Sequence, residues 1–471
     1  MRPSRRHIAL LGATGLLAGC GGGGGASPTN SSDPEQPPAT GPTVNVIDGD
    51  TRAPLPGSAV RAVDEATGQI NAEVIADGSG QAVLPAGTTF AQAISPGHGT
   101  DARAIAAGRT TVTIPLYDPT LQSPEYGGGP ARTRYVPAVQ LPTPPAAPTW
   151  TWVNKALLEF PPAVARGVVA LTTNKGRIVI FRAQTGGIIW TKRHTTTAPV
   201  AASPAIIPDE NTVLVSGMDG RLVAYGLDNG REVWTFSTGR SKIESSPLVS
   251  DRTAYIGAHN GRLYAVATNN GAARWTFQAT GDIKGSVAKS GDTIVFGDYS
   301  GTMYAVKAST GDEIWRTRVG KRLYGGPGIS GNTVVIGDVG GAVVAVDLRN
   351  GRRLWRHPTG AEVYSSPAIA KGTVFIGSYN GRFEALNLAN GNPRWSFDAG
   401  GRISGSATVV GDVVYTSVLA RRGEPDRSFG LDIATGKRLW RGNDGRYSPA
   451  VGAGRTLYIV GRTTLYAYRA P

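Results

Sequence analysis

Tryptophans at positions 190, 234, 275, 315, 355, 395 and 440 are separated by 44, 41, 40, 40, 40 and 45 residues. Each is preceded four residues earlier by a glycine: Gly186, Gly230, Gly271, Gly311, Gly351, Gly391 and Gly436. A pair held in register at this period marks a chain built from copies of one supersecondary unit. Between Tyr364 and Asp398 the unit parses into four short apolar runs, "YSSPAIA", "GTVFIGS", "GRFEALNLA" and "NPRWSFD". Asp219-Gly220, Asn260-Gly261 and Asn380-Gly381 separate the second and third runs, and Thr310-Gly311 or Asn350-Gly351 the third and fourth. Asn-Gly and Asp-Gly supply the positive φ angles of tight hairpins, so each unit reads as a four-stranded meander. Repeated radially, such meanders are the blades of a β-propeller.

After Trp440 the chain offers three strands, "RYSPAVGAG", "TLYIVG" and "TLYAYRA", with no further glycine-tryptophan strand. The missing strand is found upstream in "PTWTWVN", where Trp152 lies 38 residues before Trp190. The expectation is therefore an all-β chain whose residues 149–471 form eight blades, seven continuous and one composite, closed by the N-terminal strand. Sharing a blade removes an exposed edge and ties the two ends together. Trp152, Trp190, Trp234, Trp275, Trp315, Trp355, Trp395 and Trp440 are read as structural docking residues. Each would lay its apolar face on the adjacent blade and give its indole N–H to a backbone carbonyl.

The N-terminus carries arginines, a short apolar run from Ile8 to Ala18, and "LAGC" ending at Cys20, the only cysteine. This reads as a lipoprotein signal over residues 1–19, with lipidation of Cys20. The apolar run is too short for a permanent span, and "SRRHIAL" leaves the export route open between the general and twin-arginine pathways. Residues 20–42 are Gly-, Pro- and Ser-rich and read as a flexible tether. From 43 to 118, alternating apolar positions between Gly, Pro and Asp turns predict a small β-sandwich. Asp48, Asp50 and Asp77 there are assigned to turns rather than to calcium. Eight prolines between Pro119 and Pro148 read as a semi-extended linker over 119–148, with Tyr126 to Arg134 its best candidate for packing on a neighbour.

The "GRLYA" run at Gly261 to Ala265, followed by Gly271 and Trp275, resembles the tryptophan-docking repeat of the PQQ-like propellers. That resemblance covers about 149–471 and implies one of two activities. One branch comprises quinoprotein alcohol dehydrogenases; the other comprises non-catalytic envelope lipoproteins such as the outer-membrane assembly factor BamB, which this chain resembles in anchor and propeller. The segment "DGDTRAPLPGSAVRAVDEATG" with "ADGSGQAVLP" resembles carboxypeptidase-regulatory-like sandwiches, an addition to the BamB plan.

A quinone enzyme requires calcium ligands and a carboxylate base, and the resemblance adds an adjacent-cysteine disulfide that a chain with one cysteine lacks. Aligning the units on their "S-P" start places one residue per blade at the channel mouth: Glu159, Ala201, Glu244, Lys284, Tyr324, Tyr364, Ser404 and Arg446. This is a polar rim without a carboxylate-amide cluster. Glu159, Glu244, Lys284, Tyr324, Tyr364 and Arg446 are its candidate binding residues. The five histidines are dispersed, and no zinc motif, nucleophile elbow or phosphate loop is present, so no catalytic or metal residue is assigned. An insertion, Leu419 to Ser428, is a second contact candidate.

The formal charge of +14 is spread over the repeats. It suits anionic lipid or wall polymers as neighbours of an exported protein and does not suggest nucleic acid. The expected function is a non-catalytic, monomeric, lipid-anchored envelope scaffold with a protein partner and no cofactor. A quinoprotein oxidoreductase using PQQ with calcium is the first alternative, and an envelope glycan-binding protein the second.

Overall fold

The structure, a computed structural model, describes residues 41–65, 67–137, 143–144, 147–194, 198–419, 426–447 and 450–470. The signal segment and Cys20 lie outside the described residues. Two compact units are formed, Met1–Tyr117 and Asp118–Pro471.

In the first unit, Thr43–Asp48 pairs with Gln81–Val83 and, in parallel, with Thr111–Leu116. A second sheet runs in the order Ile70–Ile75, Ala59–Val63, Phe90–Ile94, Thr100–Ala104. Strand alternation sends Val44, Val46, Val60, Ala91 and Ile114 into one shared core. Asp77 closes its own turn, its Oδ1 accepting from the Ser79 and Gln81 amides at 2.8 and 2.9 Å.

In the second unit eight sheets follow one another among the described residues, seven of them a consecutive meander of four strands. The eighth joins Ala450–Ala453, Thr456–Val460 and Thr464–Arg469 to the upstream strand Trp150–Val153, with Leu465 opposite Trp152. Each pair of neighbouring sheets encloses an apolar cluster. The ring closes where Leu171, Val179 and Phe181 of the first sheet meet Tyr458, Leu465 and Ala467 of the last. The fold is a β-propeller.

The Gly-x-x-x-Trp repeat has a two-sided explanation. The tryptophan of one blade and the glycine of the next form a single joint. Indole N–H groups of Trp150, Trp190, Trp234, Trp275, Trp315, Trp355 and Trp395 donate to carbonyls of the following blade at 2.5–3.0 Å. Each ring lies on the following glycine so closely that a Cβ there would stand 2.6–2.9 Å from a ring carbon, and all seven glycines have φ between 65° and 80°. Only glycine meets both demands without strain.

Trp150, not Trp152, makes this joint in the composite blade: it covers Gly186 and bonds Ala183 O at 2.9 Å. Forty residues separate Trp150 from Trp190, the interval of the repeat itself. Trp152, two residues along the same strand, instead packs edge-on to Phe181 with centroids 5.3 Å apart, beneath the Arg177 guanidinium. Trp440 lies at the other end of the series, in T-shaped contact with Tyr415 of its own blade.

The proline-rich segment differs most from its sequence reading. Instead of spacing two domains, Leu121 to Val136 circles the inside of the propeller as a strap and meets every blade in turn. The innermost strands, or the residues directly after them, bond Leu121 O (from Gly454 N, 2.7 Å), Ser123 (with Val164, 2.7 and 2.9 Å), and Pro124 O (from Ile206 N, 2.7 Å). The Glu125 carboxylate accepts from Val249 N at 2.8 Å. Pro130 O, Ala131 O, Thr133 O and Arg134 O then accept from Lys289, Ile329, Ile369 and Val409 at 2.8–2.9 Å. Tyr135–Val136 finally adds a parallel strand to the seventh sheet.

The inner edges of a propeller present unpaired backbone N–H groups that require acceptors. A proline has a carbonyl and no N–H, so a composition that reads as a spacer also suits a strap whose main task is to accept.

Candidate functional site

The strap determines what remains of the channel. Arg132 and Arg134 sit in it with φ of 54° each, a left-handed conformation unusual for a branched-free but bulky side chain, and both are buried. Arg132 donates to Val287 O at 3.1 Å, to Pro247 O at 2.9 Å and to Tyr126 O, and its Nη1 lies 3.8 Å from Glu125 Oε2. The Arg134 guanidinium lies over the Tyr126 ring at 4.3 Å and donates to Ala407 O at 2.5 Å. Tyr126 is thereby held upright. Its hydroxyl stands between Ser366 Oγ and Ser406 Oγ, at 3.3 and 3.0 Å. Burial pushes this phenol up, but Arg134, the two serines and Arg132 outweigh it and leave it below the usual tyrosine value.

Above Tyr126 lies a cavity of about 220 Å³. The small residues of the "S-S-P" starts form its lower wall and bond blade to blade: Ser246 Oγ accepts from Ser203 N, Ser286 Oγ from Ser246 N, Ser366 Oγ from Gly326 N and Ser406 Oγ from Ser366 N, at 2.8–3.0 Å. The residue two positions before each of these belts faces the cavity. Glu159, Ala201, Glu244, Lys284, Tyr324, Tyr364 and Ser404 are all brought to it. Arg446 is not among the lining residues: after Gly445, with φ of 119°, Tyr447 takes the facing place and Arg446 Nη1 lies 3.8 Å from Asp426 Oδ2.

A second tier went unrecognised in the sequence. At three of the turns between second and third strands, the residue before the Asn-Gly or Ser-Gly pair also reaches the mouth: His259 meets Glu244, Tyr299 meets Tyr324 and Tyr379 meets Tyr364. Four tyrosines then form an unbroken arc. Ring centroids are 6.2 Å apart from Tyr299 to Tyr324, 5.6 Å from Tyr324 to Tyr364, and 4.6 Å from Tyr364 to Tyr379. The signal was available in "DYSG" and "SYNG", at a fixed offset from the turn glycine.

The mouth is electrostatically uneven. Tyr324 donates to Glu244 Oε2 at 3.3 Å, and His259 Nε2 lies 3.0 Å from Glu244 Oε1. Burial, and secondarily Glu244, push the Glu159 carboxyl above its ordinary value, with Arg446 opposing them. Burial and the Glu244 charge raise the Tyr324 phenol, keeping it protonated. The insertion is described only at Leu419 and from Asp426 onward. Its remaining residues, 420–425, lie outside the described residues.

A sequence profile of the family described as outer membrane protein assembly factor BamB matches residues 56–317 and 260–470, most of the chain. The chain belongs to this family. Among solved structures, BamB from Moraxella catarrhalis superposes on it with a TM-score of 0.57 at 15% identity, covering 69% of this chain and 99% of that one. Quinohemoprotein alcohol dehydrogenase from Comamonas testosteroni superposes at 0.63 and 14% identity, covering 74% and 80%. These two likenesses concern the fold. Among curated proteins, a lanthanide-dependent methanol dehydrogenase of Methylacidiphilum fumariolicum (strain SolV) is 33% identical over 89 residues, 17% of this chain and 14% of that enzyme. The chain thus spans about 14% of that relative's length.

Both branches of the propeller are therefore represented, and the mouth of this BamB-family chain can be tested against the cofactor of one. A quinone polarised by calcium requires several converging oxygen ligands and a further carboxylate as base. Among the described residues no group of three or more His, Cys, Asp or Glu side chains converges. The cavity has two carboxylates, one of them accepting from Tyr324. These residues do not fit that group.

Proposed function

We propose that this BamB-family chain is a non-catalytic scaffold of the cell envelope, carried on a lipid at Cys20, that binds a partner at the propeller mouth. One observation supports this reading above the others. The strap closes the channel beneath Tyr126, leaving a one-sided cup walled by tyrosines and two carboxylates, without the oxygen ligands that a calcium-quinone pair would need. A cup of this kind offers aromatic contact area and fixed charges to an incoming group. The role by which the family is described, outer membrane protein assembly, is compatible with an envelope protein as partner.

The test compares the soluble Cys20→Ser chain with its Tyr364→Ala variant as baits for native envelope extract. A protein retained by the first and lost by the second is the expected result. Saturable quinone binding that depends on calcium and changes the quinone absorbance would overturn the reading.

A further inference from the structure

The arc of tyrosines already holds cations. Lys284 Nζ lies over the Tyr299 ring at 4.3 Å, Arg322 over the same ring at 5.5 Å, and Arg402 over Tyr379 at 5.8 Å. These are the two outer rings of the arc. The two inner rings, Tyr324 and Tyr364, border the cavity, and no basic side chain among the described residues stacks on either. Opposing charge is present beside them. Glu244 is tied to Tyr324 through its hydroxyl, and Glu159, on the same cavity, receives no hydrogen bond from any described residue.

Two carboxylates facing one partly buried cup repel; Glu159 has no basic hydrogen-bonding partner among the described residues, and Glu244 faces the His259 ring, with Nε2 at 3.0 Å. Arg446 answers the charge of Glu159 only from the side, since it lies off the lining and is shared with Asp426. Lys284 is directed to Tyr299. On a chain of net charge +14, the charged residues lining this cup are two carboxylates against the single Lys284, and no described basic side chain stacks on its two inner rings. Aromatic rings and carboxylates together are the means by which proteins hold ammonium and guanidinium groups.

We infer that the cup takes an alkylammonium or guanidinium head, seated against Tyr324 and Tyr364 and neutralising Glu159 and Glu244. This rests on the mouth being the binding site proposed above and specifies the chemistry it recognises. The head has two possible sources, a free amine or a lysine or arginine side chain presented by a partner protein. The cup closes at Tyr126, so the head enters from the mouth and its stem points outward.

Calorimetric titration of the soluble chain with n-butylammonium and with a blocked Gly-Lys-Gly peptide tests this, with a blocked Gly-norleucine-Gly peptide as the neutral isostere. The lysine peptide is expected to bind at least about tenfold more tightly than the norleucine peptide, and Glu159→Gln or Glu244→Gln to remove about tenfold of that affinity, as for loss of one charge-assisted contact. Cooperative unfolding at a melting temperature no lower than the parent's would show that both variants are folded. Equal binding of butylammonium and the lysine peptide would identify a free amine as sufficient, and tighter peptide binding a presented side chain.

The inference is overturned if the norleucine peptide binds as well as the lysine peptide, if both glutamine variants bind like the parent, or if N-acetylglucosamine binds where the amines do not. If in any of those cases Tyr364→Ala still abolishes partner capture, the scaffold reading stands and only the ligand chemistry is wrong. If capture also persists in Tyr364→Ala, the mouth itself is not the site.

Discussion

The joints between blades and the mouth of the channel are made by the same repeat but obey opposite rules. At the joints, seven tryptophans lie on seven glycines with nearly the same geometry, and the variation among them is a few tenths of an ångström. At the mouth, the equivalent positions hold two glutamates, a lysine, two tyrosines, an alanine and a serine. Repetition at the joints is what a ring of packed sheets demands, because each joint must present the same shape to its neighbour. Packing places no such demand on the mouth, so residue choice there is free to serve recognition. The strap falls between these cases. It breaks the repeat completely in sequence, yet bonds to each blade in turn.

The comparison can be broken most severely at the strap. Arg132→Ala should remove a buried cation that satisfies three carbonyls and faces Glu125, leaving that carboxylate buried beside unpaired acceptors; about 3–5 kcal/mol of stability is the expected loss. Denaturant unfolding measures it. A cost below about 1 kcal/mol, the level of a surface substitution, would mean that the strap is dispensable.

At the joints, Gly311→Ala meets both a positive φ and the Trp275 ring, and about 2–4 kcal/mol is expected from conformational strain and overpacking together. Within the composite blade, Trp150→Ala should cost more than Trp152→Ala, since only Trp150 spans to Ala183 and Gly186. Thermal unfolding of the two variants side by side decides that ranking, and the reverse order would restore Trp152 to the docking role.

The mouth should respond least. Glu159 has its folded pKa raised, mainly by burial, so its charged form is disfavoured by folding and stability falls as pH rises through the carboxylate range. Glu159→Gln should therefore be slightly more stable than the parent at neutral pH, with the difference shrinking as pH is lowered through that range. A variant less stable at neutral pH would show that the carboxylate supports the fold, erasing the distinction between mouth and joint.

The propeller was legible because its period, its turn glycines and its tryptophans are local signals that recur. Trp150 and Trp152 stand 40 and 38 residues before Trp190, both near the repeat interval, and the ring over Gly186 with the bond to Ala183 O assigns the joint to Trp150. Seven of the eight mouth positions could be found by alignment on the repeat, and Arg446 failed because the turn at Gly445 re-aims the pair that follows. Tyr299 and Tyr379 obey an equally regular offset, but as lone aromatics beside turns they have no distinguishing pattern until the blades are set in a circle. Of the strap only the packing of Tyr126 to Arg134 on a neighbour was legible: most of its contacts to the blades are made by backbone carbonyls, which composition does not reveal, with partners up to 333 positions away, as in Leu121 O with Gly454 N.

The most direct test of a propeller closed from within is hydrogen–deuterium exchange of the soluble chain, followed over residues 121–136 and the innermost strands. The amides of Ser123, Arg132 and Arg134 donate to Val164 O, Gly129 O and Gly127 O, and those of Ile206, Ile329 and Ile369 donate to the strap. Both sets should be protected to the same degree and released together on unfolding, because the blades hold the strap whose turns enclose the Arg132 and Arg134 amides. Exchange of the strap at the rate of an unstructured chain, with the inner strands exchanging independently of it, would contradict the account.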